Sequence, residues 1–463
     1  MKKTFFQPYI VAVALMAAGL SCKKLIEIPP SPPSQIAESQ QFGDSSTALT
    51  AISYAYSYNA LSSSGFGYTD AKITEAAGLS SDELLYNNGY DLDMTGFYGY
   101  NLTNLNSDVN DLWTAPYTSL YTVNAVIGGV GNNSALSASF RAQATGEMQV
   151  MRALYYFNFV NLFGGVPLSL TTDYKVNGIM PRSSVDSVYG QILADLVSAK
   201  QKLSLVYPSG GHIRPNQLVA TALLARVYLY RNQWQQAYDA ASAVISSGQY
   251  SLVSDPNKVF LDGSAEAIWQ VPTKTAYYEV AEAHDFVSQY GAAPTFPVTK
   301  FLLNAFEPGD LRMKDWLGQA IVNGDTLYYP YKYKNVQSST STTEDYMILR
   351  LAEQYLIRAE ASAELGNGAA ALADLNIVRA RAGLAASTAS AGSQAAVLNA
   401  VMHERQVELF TEWGHRWYDL KRTGQAGAVL GAEKTGWTAD AALYPIPKSQ
   451  LQSNIYLKQN PGY

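Results

Sequence analysis

The chain has 463 residues, 48% hydrophobic and 15% charged, enough apolar sequence to bury a large core. Its net charge is −6 at pH 7 and no Lys/Arg run stands out, which argues against nucleic acid and anionic membrane surfaces as partners. A single cysteine excludes an intrachain disulfide, and 33 tyrosines favour surfaces that combine a flat apolar face with a hydrogen-bonding tip.

In chain order, Lys2 and Lys3 precede an apolar run from Tyr9 to Ala18 that is too short to be a comfortable membrane span. Small residues Ala17, Ala18, Gly19 and Ser21 then lead to Cys22. The stretch resembles a bacterial lipoprotein signal, with residues 1–21 removed and Cys22 acylated, although Gly19 stands where such signals usually carry Leu. A lipid on Cys22 anchors the protein to a membrane without spanning it. Residues 22–44 read as a tether, because four prolines between Pro29 and Pro33 favour an extended, stiff chain.

Helical periodicity begins at about residue 45 and gives way over residues 62–112 to Ser, Gly, Asn, Asp and Tyr. That texture predicts a long irregular excursion, and long loops are commonly functional. Helices are expected near Leu112 to Ile127, from Phe140 to Phe163 before Gly164-Gly165-Val166-Pro167, and from Val185 to Leu203. Asn216 to Gly248 reads as a tetratricopeptide pair of antiparallel helices turning at Arg231-Asn232-Gln233. A second such pair runs from Leu351 to Gly383. Between them, residues 249–345 are mixed, with strands predicted at Ala267 to Val271 and within 326–334. Trp437 to Tyr463 reads as Pro-rich coil. The fold class is mainly α: a tetratricopeptide-like superhelix of helical pairs carrying irregular excursions and a few short strands. Residues 45–248 form an N-terminal part and 249–463 a C-terminal part, the latter with its pair at 346–383 and a charged helix at 398–422.

That charged helix centres on HERQVELFTEWGHRWYDLKR, His403 to Arg422. Drawn as one continuous helix, it places Leu409, Phe410, Trp413, Trp417 and Leu420 on one arc. Glu404, Arg405, Glu408, Glu412, His415, Arg416 and Asp419 lie opposite, with Arg405 in reach of Glu408 and Glu412 of Arg416. Taken alone, such a stripe reads as a solvated face.

Tests for chemistry are negative. Glu412-x-x-His415 is half of a di-iron bundle motif, and no second copy exists in the chain. Asp91-x-Asp93-x-x-Gly96 begins like a calcium loop, but its twelfth position is Leu102 and the bidentate Glu is missing. No nucleophile elbow, phosphate-binding loop or dinucleotide fingerprint is found. No catalytic residue, metal or cofactor is therefore assigned, and a binding protein is expected rather than an enzyme.

Several segments together resemble the SusD/RagB family: the lipoprotein signal, EMQVMRALYYFNFVNLFGGVPL (Glu147 to Leu168), NAFEPGDLR (Asn304 to Arg312), ILRLAEQYLIRAEA (Ile348 to Ala361), the His403 to Arg422 run, LYPIP (Leu443 to Pro447) and the terminal LKQNPGY. One departure is Trp413, where the family usually carries Gly. The resemblance implies a lipid-anchored, outer-membrane protein at the cell surface. It would bind oligosaccharide and pass it to a SusC-like TonB-dependent transporter; the alternatives are peptide binding as in the RagB branch, or a structural adaptor of the transporter that binds no ligand. It also implies that the ionic helix is structural and that the excursions carry the ligand. A sugar ring has apolar faces and polar edges, so its site needs exposed aromatics flanked by amides and charges. Residues 84–104 and 274–290 have that texture, which nominates Tyr86, Tyr90, Phe97, Tyr98, Tyr277 and Tyr278, with Lys274 and Tyr290 beside them.

Overall fold

The computed structural model describes residues 38–60, 71–273, 275, 277–337 and 343–463. The signal segment, Cys22, most of the tether, and Lys274 lie outside the described residues. The scaffold is four antiparallel helical pairs stacked in sequence. Ser45–Ala60 (α1) packs on Ser107–Gly131 (α4), and Ala138–Phe163 (α5) on Val185–Lys202 (α6). Gln217–Tyr230 (α7) pairs with Trp234–Ser246 (α8), and Leu351–Glu364 (α9) with Gly368–Arg381 (α10). Each pair also packs on the next, so every helix buries an apolar stripe against a neighbour. The expected superhelix is thus present, and α8 meets α9 directly although a hundred residues separate them in sequence.

Local chemistry explains the helix starts. Asn106, Ser137, Ser184, Asn216, Asn367 and Ser393 each accept a backbone N–H two or three residues into the helix that follows. The insertion between α8 and α9 carries two small antiparallel sheets. Ala267–Val271 (β1) pairs with Tyr346–Arg350 (β4), and Leu317–Val322 (β2) with Asp325–Pro330 (β3). The β2–β3 hairpin turns on Asn323-Gly324, both at positive φ, the conformation that a tight two-residue turn requires. The strand expected within 326–334 stops at Pro330, because Tyr331 bonds to the Trp316 carbonyl and Lys332 turns inward.

The excursion at 62–112 is more ordered than its composition implies. Among its described residues, Lys72–Ser80 (α2) is buried along nearly its whole length, and Leu92–Gly99 (α3) is a second helix. Small residues conceal both: Ala76, Ala77 and Gly78 give little periodicity but permit close packing. The C-terminal coil is likewise interrupted, by the short helix Lys448–Ser453.

The single helix expected over 398–422 is two. Gln394–Glu408 (α11) ends, the chain turns through Thr411, Trp413 and Gly414 at positive φ, and His415–Arg422 (α12) begins. Gly414 is required twice over. Its φ is 75°, and a Cβ there would stand 2.7 Å from the Cβ of Ala77 on α2. Trp413 tolerates φ 51° because its indole N–H donates to the Met347 carbonyl at 2.8 Å and its ring packs on Tyr346.

The break also corrects the solvated stripe, since its charges are largely buried and paired across the break or with distant segments. Arg416 holds Asp82 at 2.6–2.7 Å, not Glu412. Arg405 holds Asp419, not Glu408. Glu412 accepts from Arg350 and Lys332, and Glu408 from Arg312, Arg350 and Arg381. Two carbonyls at the end of α11 and in the turn, Glu408 and Phe410, accept from the Lys332 ammonium. Cations thus satisfy carbonyls that a helix end leaves bare. Burial alone would raise the Glu408 carboxyl, but Arg381, Arg350 and Arg312 outweigh it and hold the group well below the ordinary range.

A nearby carboxyl behaves in the opposite way. Glu282 is buried beside Thr74 and pairs with no cation among the described residues, so burial pushes it up to about 8. A folded-state pKa above the unfolded 4.5 contributes stability that is complete below pH 4.5 and is lost as pH rises through about 8. Glu282→Gln is therefore expected to gain stability relative to the parent as pH rises from about 5 to about 8. Paired thermal melts across that range test this; a constant difference between the two proteins would refute it.

Candidate functional site

The two Tyr-rich excursions meet. Residues 84–87 run antiparallel to 294–298: Leu84 bridges Val298, the Leu85 amide donates to the Pro297 carbonyl at 2.8 Å, and the Asn87 amide donates to Thr295 at 2.9 Å. The Asn87 side chain adds a bond to the Pro294 carbonyl. Beneath the ladder, Phe296 packs on Tyr86 and on Phe286 of the short helix Ala281–Phe286. Continuing the register past Asn87 carries both chains out of the ladder at the same end, where Tyr90 and Tyr290 occur. Their side chains are 98% and 96% exposed.

The nominated residues divide. Tyr90 and Tyr277 are open to solvent, the latter at 79% exposure. Thr275 orients the turn that carries Tyr277 by accepting the backbone N–H groups of Tyr277 and Tyr278. Tyr278 is half-buried with its ring against His284. Tyr86 is half-buried, its hydroxyl 3.4 Å from Asp91, and burial next to that carboxylate pushes its phenol up to about 12. Tyr98 is half-buried under the Lys434 ammonium, 4.5 Å from its ring centre. Phe97 is fully buried, edge-on to Tyr444 at 5.1 Å. It belongs to the core and offers no face to a ligand, because α3 turns it inward.

Tyr290 is the residue that sequence reasoning undervalued. Its φ is 55°, in a turn closed by the Ala292 amide on the Gln289 carbonyl. A non-glycine residue held there costs on the order of 1 kcal/mol or more, and the strain presents a large ring to solvent. The one available signal was the Tyr-Gly pair at positions 290–291.

The acidic pattern that begins like a calcium loop has a local explanation. Asp91 caps α3 by accepting the Asp93 and Met94 amides, and Asp93 accepts from the amide and hydroxyl of Ser107. The surface also carries the exposed His284, 2.9 Å from Asp285, and the exposed Leu92. It therefore offers stacking faces with polar hydrogen-bonding edges, one of them titratable.

Comparison with known proteins agrees with this architecture. A family model described as "SusD family" matches residues 309–463, and one described as "Starch-binding associating with outer membrane" matches residues 34–229. SusD-like protein P38 of Formosa agariphila is 24% identical over the whole of both chains. A SusD superfamily structure from Bacteroides vulgatus superposes with a TM-score of 0.80 at 21% identity, covering 91% of this chain and 99% of that one. A structure called a laminarin binding SusD-like protein gives a TM-score of 0.73 at 26% identity, covering 90% of this chain and 99% of that one. Two family models that between them span most of the sequence, full-length relatives and a shared superhelix lead to one conclusion: the chain belongs to the SusD/RagB family.

Proposed function

We propose that this protein captures oligosaccharides on the surface formed by residues 84–92 and 277–298. The carrying observation is that two excursions, some two hundred residues apart in sequence, are tied by a backbone ladder while Tyr90, Tyr277 and Tyr290 stay exposed around it. Exposed rings with polar neighbours suit the C–H faces and hydroxyl edges of a sugar chain. Relatives whose names state starch or laminarin binding support a glucan among the ligands. We further infer delivery of the captured glycan to a SusC-like TonB-dependent transporter, with the protein held at the outer-membrane surface by a lipid on Cys22. No described helix is long and apolar enough to cross a membrane, consistent with anchoring by lipid.

Calorimetric titration against a panel of oligosaccharides tests the reading. Tyr90→Ala combined with Tyr277→Ala is expected to weaken binding at least about tenfold, with the melting temperature within a degree or two of the parent because both rings are exposed. No binding to any glycan, with binding to peptides instead, would replace the glycan reading with the peptide one.

A further inference from the structure

A separate concavity lies between α4, the loop after α5 and the helix Lys448–Ser453. It encloses about 570 Å³, within the size range of small-molecule sites. Tyr121 on α4 and Tyr174 in the loop line it and are 59% and 76% exposed, with Trp113 and Tyr117 deeper inside. Around these rings the wall is Thr114, Thr118, Asn177 and Gln450, all neutral hydrogen-bonding groups.

The surrounding elements are fixed. The Tyr117 hydroxyl donates to the Pro167 carbonyl at 2.8 Å, and Asn124 and Tyr156 both donate to the Ser169 carbonyl. On the opposite wall, Asn454 donates to the Met180 carbonyl, joining the C-terminal segment to the loop. The Asn177 amide nitrogen donates to the Thr171 carbonyl at 2.8 Å, which braces the loop wall.

We propose that this cavity is a second carbohydrate-binding site, taking a neutral sugar with one ring against Tyr121 or Tyr174 and its hydroxyls toward Thr114, Thr118 and Gln450. The lining residues carry no charge, the Lys175 ammonium standing 6.0 Å from the Tyr174 ring centre, and the aromatic walls are paired with amides and hydroxyls, the complement of a pyranose. The site uses none of the residues of the surface formed by 84–92 and 277–298, so either can fail without the other. Two sites on one body would hold a long glycan at two points and raise its residence time through effective concentration.

Hydrogen–deuterium exchange on the mature chain with saturating laminarihexaose, and separately with maltoheptaose, tests the proposal. Slowed exchange in residues 167–180 with at least one probe is expected, together with at least about a tenfold loss of that local affinity in Tyr121→Ala/Tyr174→Ala. Protection confined to 84–98 and 277–298 would overturn it and leave the first site standing. Protection at 167–180 alone would support it and sink the first. The absence of protection at 167–180 with both sugars overturns it. So does unchanged local affinity in the double variant, as would be found if this face docks a protein.

Discussion

Replacing Glu408 with alanine is expected to lower stability by about 3–5 kcal/mol, the cost of removing one member of a buried charge network. Glu408 is fully buried, and Arg312, Arg350 and Arg381 converge on its carboxylate. These arginines sit on the helix Leu311–Trp316, at the end of β4 and on α10, so one side chain joins three segments to α11. Alanine leaves the guanidiniums buried and short of one counter-charge. Glu266, Glu404, Asp310 and Glu412 remain, each already engaged. Chemical denaturation measures the loss, and an unchanged midpoint would remove Glu408 from the centre of the network. The effect carries a pH signature. A depressed folded-state pKa gives stability that is present above 4.5 and lost as pH falls through the folded value. The gap between parent and variant should therefore narrow in acid. Glycan affinity below the melting temperature should stay close to that of the parent, because the network does not reach the exposed tyrosines.

Trp417→Ala is expected to cost about 3–5 kcal/mol, as for other fully buried large aromatics. Trp417 stacks on Tyr444 and Tyr100 and meets Trp437 edge-on, with ring centres 5.9–6.5 Å apart. Through these rings α12 holds the residue that ends α3 and two segments of the C-terminal tail. The Tyr100 hydroxyl in turn donates to the Ser80 carbonyl at 2.6 Å. The variant should therefore loosen one region in particular: amide exchange across residues 92–104 should accelerate more than across α7 and α8. Uniform acceleration would mean that Trp417 supports the fold as a whole and not this excursion.

Much of the scaffold was legible because helical pairs advertise themselves. The stop at Gly164-Gly165, the turn at Arg231-Asn232-Gln233 and the apolar stripe of α8 each follow from local rules, and structure and sequence differ there by a residue or two. The charged run misled for a physical reason. Periodicity reports which side chains share a face and says nothing of what that face meets. Here it meets Asp82, Arg312, Lys332 and Arg350, all distant in sequence. The helix break was hidden because only Gly414 among the positive-φ residues announces itself. At the proposed ligand surface the sequence marked two Tyr-rich excursions that the fold brings together, but could not sort their rings. Phe97 and Tyr90 stand in the same polar, Tyr-rich stretch, yet a cap at Asp91 starts a helix that turns one inward and leaves the other outside.

The pairing of Asp82 with Arg416 spans 334 residues, and Lys434 reaches back to the carbonyls of Leu79 and Ser81. Arg182 similarly depends on Asn460. An N-terminal portion released first, from a ribosome or a translocation channel, therefore has its helices but lacks partners for several groups that the finished fold encloses. Loop closure over such separations is slow, and the reward comes only when the last sixty residues arrive. The cohesion of the N-terminal helices thus depends on partners that lie far along the chain, and a substitution at Arg416, Lys434 or Asn460 is felt at residues 79–82 and at Arg182.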